Sequence, residues 1–167
     1  MPNFEVSITN NQEVFPVNLE EIEKNAGLIL EYAVENLKIL SESVLRDYDL
    51  DNKTISVDIV LTDDEEIAEL NSSYRGIDKP TDVLAFALFA DNPDLEAVPE
   101  DEIPLGEVII SVETAKMQAD NNEIDLMEET MFLLAHGILH LLGYDHPDEE
   151  SLEMLLEIQT EILASIR

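Results

Sequence analysis

The sequence contains no cysteine. This absence excludes a disulfide partner, a thiolate-bound zinc or iron–sulfur cluster, and a thiol nucleophile. Any metal site must therefore use histidine and carboxylate side chains. Long hydrophobic runs are also missing: Met131–Ala135 is too short to cross a membrane, and the N-terminal residues lack the basic and apolar regions of a signal peptide. We therefore expect a cytoplasmic protein that has no membrane partner.

Basic residues are scarce. The chain has 8 Lys and Arg residues against 39 Asp and Glu residues, which gives a formal net charge of -31. Such a surface repels nucleic acid and anionic membranes unless individual cations lie where they are needed. Taken alone, the charge argues against nucleic-acid binding. It also makes each cation informative, and Arg75 and Lys79 are two of them. Salt adaptation and a strongly solubilised surface both remain open as reasons for the acidity.

The length and composition favour one folded unit. A chain of 167 residues with 45% hydrophobic residues can bury a sizeable core. The sequence shows no internal repeat and no second domain. We therefore expect a single domain over residues 1–167.

Four segments have the length and the apolar–polar pattern of strands. They are Phe4–Asn10, Thr54–Leu61, Val83–Phe89 and Leu105–Ser111. Between the last two, Ala90–Pro104 carries six acids and three prolines. Such a segment can neither propagate a helix nor pair well in a sheet, so we expect an exposed, mobile and solvated loop there.

Helical periodicity begins after Asn18, a capping residue with Glu21 three residues later. The apolar stripe that follows continues to Val44 and predicts one long helix, or two helices broken near Gly27.

The later helices are marked by their caps. A capping box at Thr62 predicts a short helix that ends at Gly76, and another short helix follows the fourth strand. Asn122 is expected to cap the next helix, which runs to Leu142, and Pro147 suits the first turn of the last one. These elements predict an α+β fold, in which a small mixed four-stranded sheet packs against about five helices.

All three histidines of the chain lie within an eleven-residue segment. His136 and His140 are four residues apart on a predicted helix, so both imidazoles project from one face. Gly143 allows the chain to turn, and His146 can then approach as a third ligand. Three protein ligands with an open position are typical of a catalytic zinc site. The alternative is three unrelated histidines near the negative end of a helix, but the complete spacing favours the metal.

This spacing matches the H-E-x-x-H-x-x-G-x-x-H pattern of the metzincin proteases, which makes the predicted site metalloprotease-like. A metzincin has a glutamate directly after the first histidine, where it serves as general base, and this chain has Gly137. A peptidase built on this site would therefore lack its usual base, unless another carboxylate such as Glu107 reaches the site.

Three segments together resemble the bacterial YbeY family. His136–His146 reads HGILHLLGYDH, Leu70–Phe86 is similar to the family's Y-R-G…D-x-P-T-D-V-L-S-F run, and Leu105–Ser111 is similar to its G-D-I strand. The resemblance runs from about residue 57 to the C-terminus in unbroken order. Two positions depart from it: Ala85 stands where the family usually has serine, and Glu107 where it usually has aspartate.

The resemblance implies a single-strand-specific, metal-dependent endoribonuclease. Members of this family act in maturation of the 3′ end of small-subunit ribosomal RNA and in ribosome quality control. His136, His140 and His146 would hold one Zn²⁺ per chain, or another divalent metal, and the implied partners are ribosomal RNA and the ribosomal subunit. Zinc-bound hydroxide would attack the phosphodiester or help to deprotonate a ribose 2′-hydroxyl, and the sequence does not choose. From the charge we conjecture that a ribosomal protein or ribosome-associated factor supplies docking.

Individual roles follow from the same motifs. Arg75 is the candidate for binding phosphate and stabilising the transition state, since a guanidinium can bind two phosphate oxygens at once. Its position alone favours a simpler interpretation, a cation that interacts with the negative end of a helix. Lys79 is a weaker phosphate contact or a solvated charge. Asp145 is either an acceptor that orients an imidazole or a turn residue. Tyr144 either stacks on a base or packs in the core.

Two further functions stay open at this point. One is a zinc metallopeptidase that lacks the usual glutamate base. The other is a non-catalytic ribosome assembly module that uses its metal for folding.

Overall fold

The computed structural model describes residues 2–91, 101–145 and 148–166, without the side chains of residues 37 and 38. Its sheet has four strands: β1 Asn3–Asn10, β2 Thr54–Thr62, β3 Val83–Ala87 and β4 Glu102–Ser111. Their spatial order is β1-β2-β4-β3. The pairs β1–β2 and β2–β4 are parallel, whereas β3 runs antiparallel to β4. The prediction of a small mixed sheet is confirmed.

Six helices accompany the sheet in the described residues. They are α1 Leu19–Glu35, α2 Leu37–Leu40, α3 Asp64–Arg75, α4 Val112–Asn121, α5 Leu126–Leu141 and α6 Glu149–Ser165. Because α2 is a single turn, five of them are substantial helices, and the α+β prediction is confirmed. None of these helices combines the length and the apolar character needed to cross a membrane.

Helix α5 lies at the centre of the core. Ten of its 16 residues are buried, which fits a helix that is apolar on nearly all sides. It packs against β3 and β4, with α1 and α6 beside it. On the opposite side of the sheet, α3 covers a smaller cluster of Ile67, Leu84 and Ile109. The sheet therefore has helices on both faces, and β3 forms one of its edges.

Helix α1 does not break at Gly27. The helix continues through that glycine to Glu35, and the interruption falls at Asn36 instead. There the Asn36 side chain accepts a hydrogen bond from the backbone of Ile39, at the start of α2. A single glycine inside a long amphipathic helix weakens it without ending it, whereas an asparagine side chain can compete for backbone hydrogen bonds.

Two predicted N-caps are wrong by one to three residues. Thr62 still belongs to β2, and the cap of α3 is Asp63, whose carboxylate accepts from the Glu66 backbone. Asn122 instead ends α4, and Asp125 caps α5. Strand β2 extends one residue past its predicted end at Leu61, and a turn separates the end of α4 at Asn121 from the cap of α5. Gly76 does end α3 as predicted, in a left-handed conformation with φ of 70°.

Strand β4 begins earlier than predicted, so the expectation of a loop through Pro104 is wrong. Pro104 pairs with Ser56 of β2, and its neighbour Ile103 is fully buried. The position tolerates proline because β3 pairs with β4 only as far as Gly106, which leaves β4 with one partner strand at Pro104. The predicted loop's residues 92–100 lie outside the described residues.

Strand β3 and helix α6 also differ from their predicted bounds. β3 ends at Ala87 rather than Phe89, because the backbone turns there and Asp91 donates back to the Ala87 carbonyl. α6 begins at Glu149, capped by Asp148 in a capping box. Pro147, predicted in its first turn, lies outside the described residues.

Candidate active site

One cavity of about 470 Å³ lies at the β3 edge of the sheet, between the ends of α3 and α5. We call it the edge cavity. Because β3 is an edge strand, side chains from helices on both faces of the sheet can meet there. Its described lining residues are Tyr74, Arg75, Val83, Leu84, Ala85, Phe86, Asp91, His136, His140 and Asp145. Four of the six predicted site residues therefore border a single space.

Hydrogen bonds fix the loop that joins α3 to β3. The Asn71 amide donates to the Lys79 carbonyl at 2.9 Å. Asp82 accepts from the Val83 backbone at 2.7 Å and from the Gln118 side chain at 3.3 Å. Asp82 therefore fixes the backbone at the start of β3. The end of α3 is thereby held against the same strand that α5 covers.

The two histidines of α5 lie one turn apart and both face the edge cavity. Between them, Gly137 points to the sheet: an added Cβ would lie 2.6 Å from Cγ1 of Val108. The His140 side chain remains 34% exposed. The helix ends immediately afterwards, where the Gly143 backbone donates to the His140 carbonyl. The periodicity argument for the two imidazoles is therefore confirmed.

Asp91 is a site residue that the sequence analysis missed. Its Oδ1 lies 3.7 Å from Nε2 of His140. Its Oδ2 accepts the Ala87 backbone N–H at 2.9 Å, and its own N–H donates to the Ala87 carbonyl. These bonds close the turn after β3 and hold the carboxylate beside the histidine. The available signal is an acid two residues after the predicted end of the strand at Phe89, but Asp91 also belongs to the segment predicted as a solvated acidic loop.

Arg75 brings a cation to the edge cavity. It is the last residue of α3, so it also meets the description of a helix-end cation. None of the described carboxylates forms a salt bridge with its guanidinium. With respect to these carboxylates, the N–H groups of the guanidinium are available to bind an anion. Lys79 does not line the edge cavity and contributes a backbone carbonyl to the loop. Asp145 does line it.

Tyr144 is a core residue rather than part of the edge cavity. Its hydroxyl donates to the Ile39 carbonyl at 2.7 Å, and its ring packs against the main core. Burial, with the nearby charge of Glu42, raises the pKa of Tyr144 to about 12. Of the two sequence interpretations, the structure supports packing and not base stacking.

The donors in the edge cavity fit a divalent metal in their chemistry. Two imidazoles with a carboxylate nearby form the nitrogen and oxygen set that zinc binds. The third predicted ligand, His146, lies outside the described residues. Within the described ranges, no three His, Asp or Glu side chains form a group that could hold a metal by themselves.

Glu107, the alternative base for a peptidase, faces away from the histidines. Val108 packs on Gly137 of α5, and Ile109 belongs to the cluster under α3. Because side chains alternate along a strand, Glu107 shares the α3 face with Ile109. Partial burial raises the pKa of Glu107, with a further contribution from the charge of Asp58.

Two further positions belong to the segments that resemble the family. Ala85, which replaces the usual serine, lines the edge cavity. The cavity therefore lacks the hydroxyl group that a serine at this position would provide. Gly106 has φ of 138°, and an added Cβ would lie 2.1 Å from the Phe86 carbonyl oxygen. The close approach of the β3 backbone therefore requires a glycine at position 106.

Comparison with known proteins gives one consistent result. A family model described as "Endoribonuclease YbeY" matches residues 7–167. Proteins named "Endoribonuclease YbeY" include one from Trichormus variabilis, 49% identical over 64% of this chain and 61% of its own length. One from Sulfurihydrogenibium is 46% identical over 75% of this chain and 78% of its own. A third, from Prochlorococcus marinus, is 34% identical over 92% of this chain and 75% of its own.

The matched stretch covers about three-fifths of the cyanobacterial relatives from Trichormus variabilis and Nostoc, at 61% and 58% of their lengths. Among solved structures, the solution structure of TM1509 from Thermotoga maritima superimposes with a TM-score of 0.59. It is 23% identical and covers 97% of this chain and 89% of its own. That similarity supports the α+β fold.

Proposed function

The chain belongs to the YbeY endoribonuclease family, and from this premise we propose that it is a metal-dependent endoribonuclease that cleaves single-stranded ribosomal RNA. The proposed roles are maturation of the 3′ end of small-subunit RNA and ribosome quality control, carried out in the cytoplasm by one domain of residues 1–167. The observation that carries the proposal is that the edge cavity joins the two histidines of α5 with the guanidinium of Arg75, which forms no salt bridge with any carboxylate that the structure describes.

The metal is assigned to the three histidines. His136, His140 and His146 would hold one Zn²⁺ per chain, with another divalent metal as the alternative. When bound, zinc supplies Lewis acidity, which polarises a phosphoryl oxygen and lowers the pKa of water. The Asp91 carboxylate beside His140 adds negative charge that favours a cation at this end of the edge cavity.

Arg75 and Asp145 complete the proposed catalytic set. The guanidinium of Arg75 would hold two phosphate oxygens and stabilise the negative charge that grows on the phosphodiester. Asp145 borders the same space and would orient an imidazole through a hydrogen bond. Lys79 is proposed only as an outer phosphate contact, since its side chain does not line the edge cavity.

The geometry of Gly137 argues against a metallopeptidase. A glutamate there would have its first side-chain carbon 2.6 Å from Val108, inside the packed interface of helix and sheet. Its carboxylate could not reach the histidine face of the helix without moving α5. The substitute carboxylate, Glu107, lies on the other face of the sheet. No observation favours peptide hydrolysis over phosphodiester cleavage.

The charge of the chain bears on its partners. A net charge of -31 disfavours tight binding to isolated RNA. The proposed partners are therefore ribosomal RNA within a ribosomal subunit, with a ribosomal protein or ribosome-associated factor providing part of the contact. Docking by a protein would bring the RNA to the edge cavity without a broad basic surface.

The proposed function is tested by cleavage of a labelled single-stranded fragment of ribosomal RNA by zinc-loaded protein. Arg75→Ala should lower the rate about 10²–10³-fold, the loss typical of removing one group that stabilises transition-state charge, with zinc content unchanged. The matched control is Arg46→Ala, an exposed arginine that pairs with Asp47 and is not among the lining residues. Undiminished cleavage by Arg75→Ala would remove its role. A metal-free protein that stays folded would argue against the non-catalytic assembly module.

A further inference from the structure

Tyr74 has an unusual environment for an aromatic residue. It is 68% exposed, more than any other large hydrophobic side chain in the described residues, where the next is Met117 at 55%. Aromatic rings carry a large apolar surface that is normally buried. An aromatic ring left in solvent at the border of a cavity is therefore a candidate contact for a ligand.

The ring is exposed but its position is defined. Tyr74 lies in the last turn of α3, which Gly76 ends with two backbone hydrogen bonds. Its ring packs on Phe86 in an edge contact, with 5.0 Å between centroids and an interplanar angle of 60°. Phe86 belongs to β3, so the contact ties the tyrosine to the sheet. A ring held in this way loses little conformational entropy when a ligand packs on it.

Tyr74 also has a suitable neighbour. It precedes Arg75, and both line the edge cavity with His136 and His140. A nucleotide presents a flat base and a phosphate a short distance apart. On adjacent residues, an aromatic face can stack on the base and a guanidinium can bind the phosphate. His136 and His140 border the same cavity, where the phosphodiester would be cleaved.

The scarcity of positive charge in the edge cavity makes a stacking contact important for RNA binding. Arg75 is the single cation among the described lining residues, while Asp91 and Asp145 are acids. Most RNA-binding sites gain affinity from many phosphate contacts, and this cavity has few to offer. Stacking on an aromatic ring does not depend on charge and accepts every base.

We propose that Tyr74 is a substrate-binding residue, on which an unpaired nucleobase of the RNA stacks next to the phosphate bound by Arg75. The proposal rests on the proposed function of the same cavity and adds its means of selecting substrate. A base inside a duplex is already stacked on its neighbours and paired, so its face is unavailable. Stacking on the Tyr74 ring would therefore require the RNA substrate to be single-stranded.

The first test uses single-stranded RNA oligonucleotides that each lack one base. For the wild type, one abasic position near the cleaved bond should raise KM about 5- to 150-fold, the equivalent of the ~1–3 kcal/mol of base–aromatic stacking. Tyr74→Ala should raise KM by a similar factor on intact RNA, and it should no longer respond to that abasic position. Tyr74→Phe should behave as the wild type, and Met117→Ala, which removes the next most exposed large apolar side chain, should have no effect.

The second test measures binding without catalysis. An RNA with the fluorescent base 2-aminopurine at the sensitive position is mixed with metal-free protein. Stacking on Tyr74 should quench the fluorescence, and Tyr74→Ala should abolish the quenching. The salt dependence separates the two contacts: Arg75→Ala should make the slope of log affinity against log salt shallower by about 0.7, the value for one phosphate contact with a single strand. Tyr74→Ala should leave that slope unchanged.

The outcomes separate the two claims. If Tyr74→Ala unfolds more easily but keeps the wild-type KM, abasic profile and quenching, Tyr74 only packs on Phe86 and the stacking proposal is wrong. In that case the proposed function stands, because the wild type still cleaves RNA. If the zinc-loaded wild type cleaves no RNA, the proposed function fails, and the quenching experiment alone decides whether Tyr74 binds a base.

Discussion

The carboxylate of Asp91 faces the imidazole of His140, with 3.7 Å between Oδ1 and Nε2. The distance is longer than a direct hydrogen bond, and the two residues come from different parts of the fold. Asp91 closes the turn after β3, and His140 lies near the end of α5. Their meeting shows that the edge strand contributes to the histidine end of the cavity, and it leads to a prediction about metal affinity.

We expect Asp91→Ala to weaken zinc binding about 10- to 100-fold, the usual effect of removing a group that supports metal ligands from outside the ligand set. Asp91→Asn separates charge from structure, because an asparagine oxygen can still accept from the Ala87 backbone. It should therefore weaken zinc binding while the turn is kept. Competition with a chromophoric chelator measures the Kd, and Glu153→Gln on α6 is the control for the loss of one exposed acid. Equal Kd values for all four proteins would show that Asp91 has no part in the site.

Gly137 and Gly27 provide a matched pair of glycines inside helices. An added Cβ at Gly137 would press on Val108, whereas at Gly27 it would meet nothing within 4 Å. Gly137→Ala should lower the free energy of unfolding, because overpacking costs about 1–3 kcal/mol and outweighs the ~0.5–1 kcal/mol gained by alanine in a helix. Gly27→Ala should raise it by about 0.5–1 kcal/mol.

Denaturant unfolding of both variants measures the two effects. The double variant Gly137→Ala, Val108→Ala should lose less stability than the sum of its single changes, because the smaller residue relieves the clash. Additive losses would contradict the assignment of Gly137 to the interface with Val108.

Glu129 should give the protein a stability that depends on pH. It is only 6% exposed, and burial, together with the charge of Asp82, raises the pKa of its carboxyl group. Above that raised pKa the ionised group destabilises the fold. As the pH falls through the raised pKa, the folded state takes up the proton first, so stability is gained towards acid pH and is lost again as pH rises.

Glu129→Gln should therefore raise the thermal midpoint at neutral pH, and its advantage should shrink as the pH approaches the ordinary glutamate pKa. The control is Glu128→Gln, an exposed change in the same helix turn, which should lower stability by about 0.3–1 kcal/mol through the lost interaction with the helix dipole. A pH-independent difference between Glu129→Gln and the wild type would contradict the burial argument.

The sequence was sufficient for features that depend on local periodicity. The spacing of His136 and His140 placed both on one face of α5, and the alternation in Thr54–Leu61 located the central strand β2 within one residue of its end. Residue roles that depend on tertiary contacts could not be predicted from the sequence. Asp91 reaches His140 only because the chain turns back after Ala87, and its place shortly after a predicted strand does not by itself indicate that contact.

The errors share a physical cause. Thr62 and Asn122 both have the side chains of helix caps, but the strand before one and the helix before the other extend through or up to them. Pro104 was excluded from the sheet by its missing N–H, and the sheet accepts it because β3 ends before that position. In each case a tertiary neighbour decided what the local preference could not.

The most direct test of the account is a titration of metal-free protein with zinc, followed by the cleavage rate of single-stranded ribosomal RNA. We predict that the rate rises with zinc and saturates at one ion per chain, and that His140→Ala, shown to be folded by its thermal transition, stays at background. Full cleavage by metal-free wild type, or by His140→Ala, would contradict the assignment of the reaction to the histidines of α5.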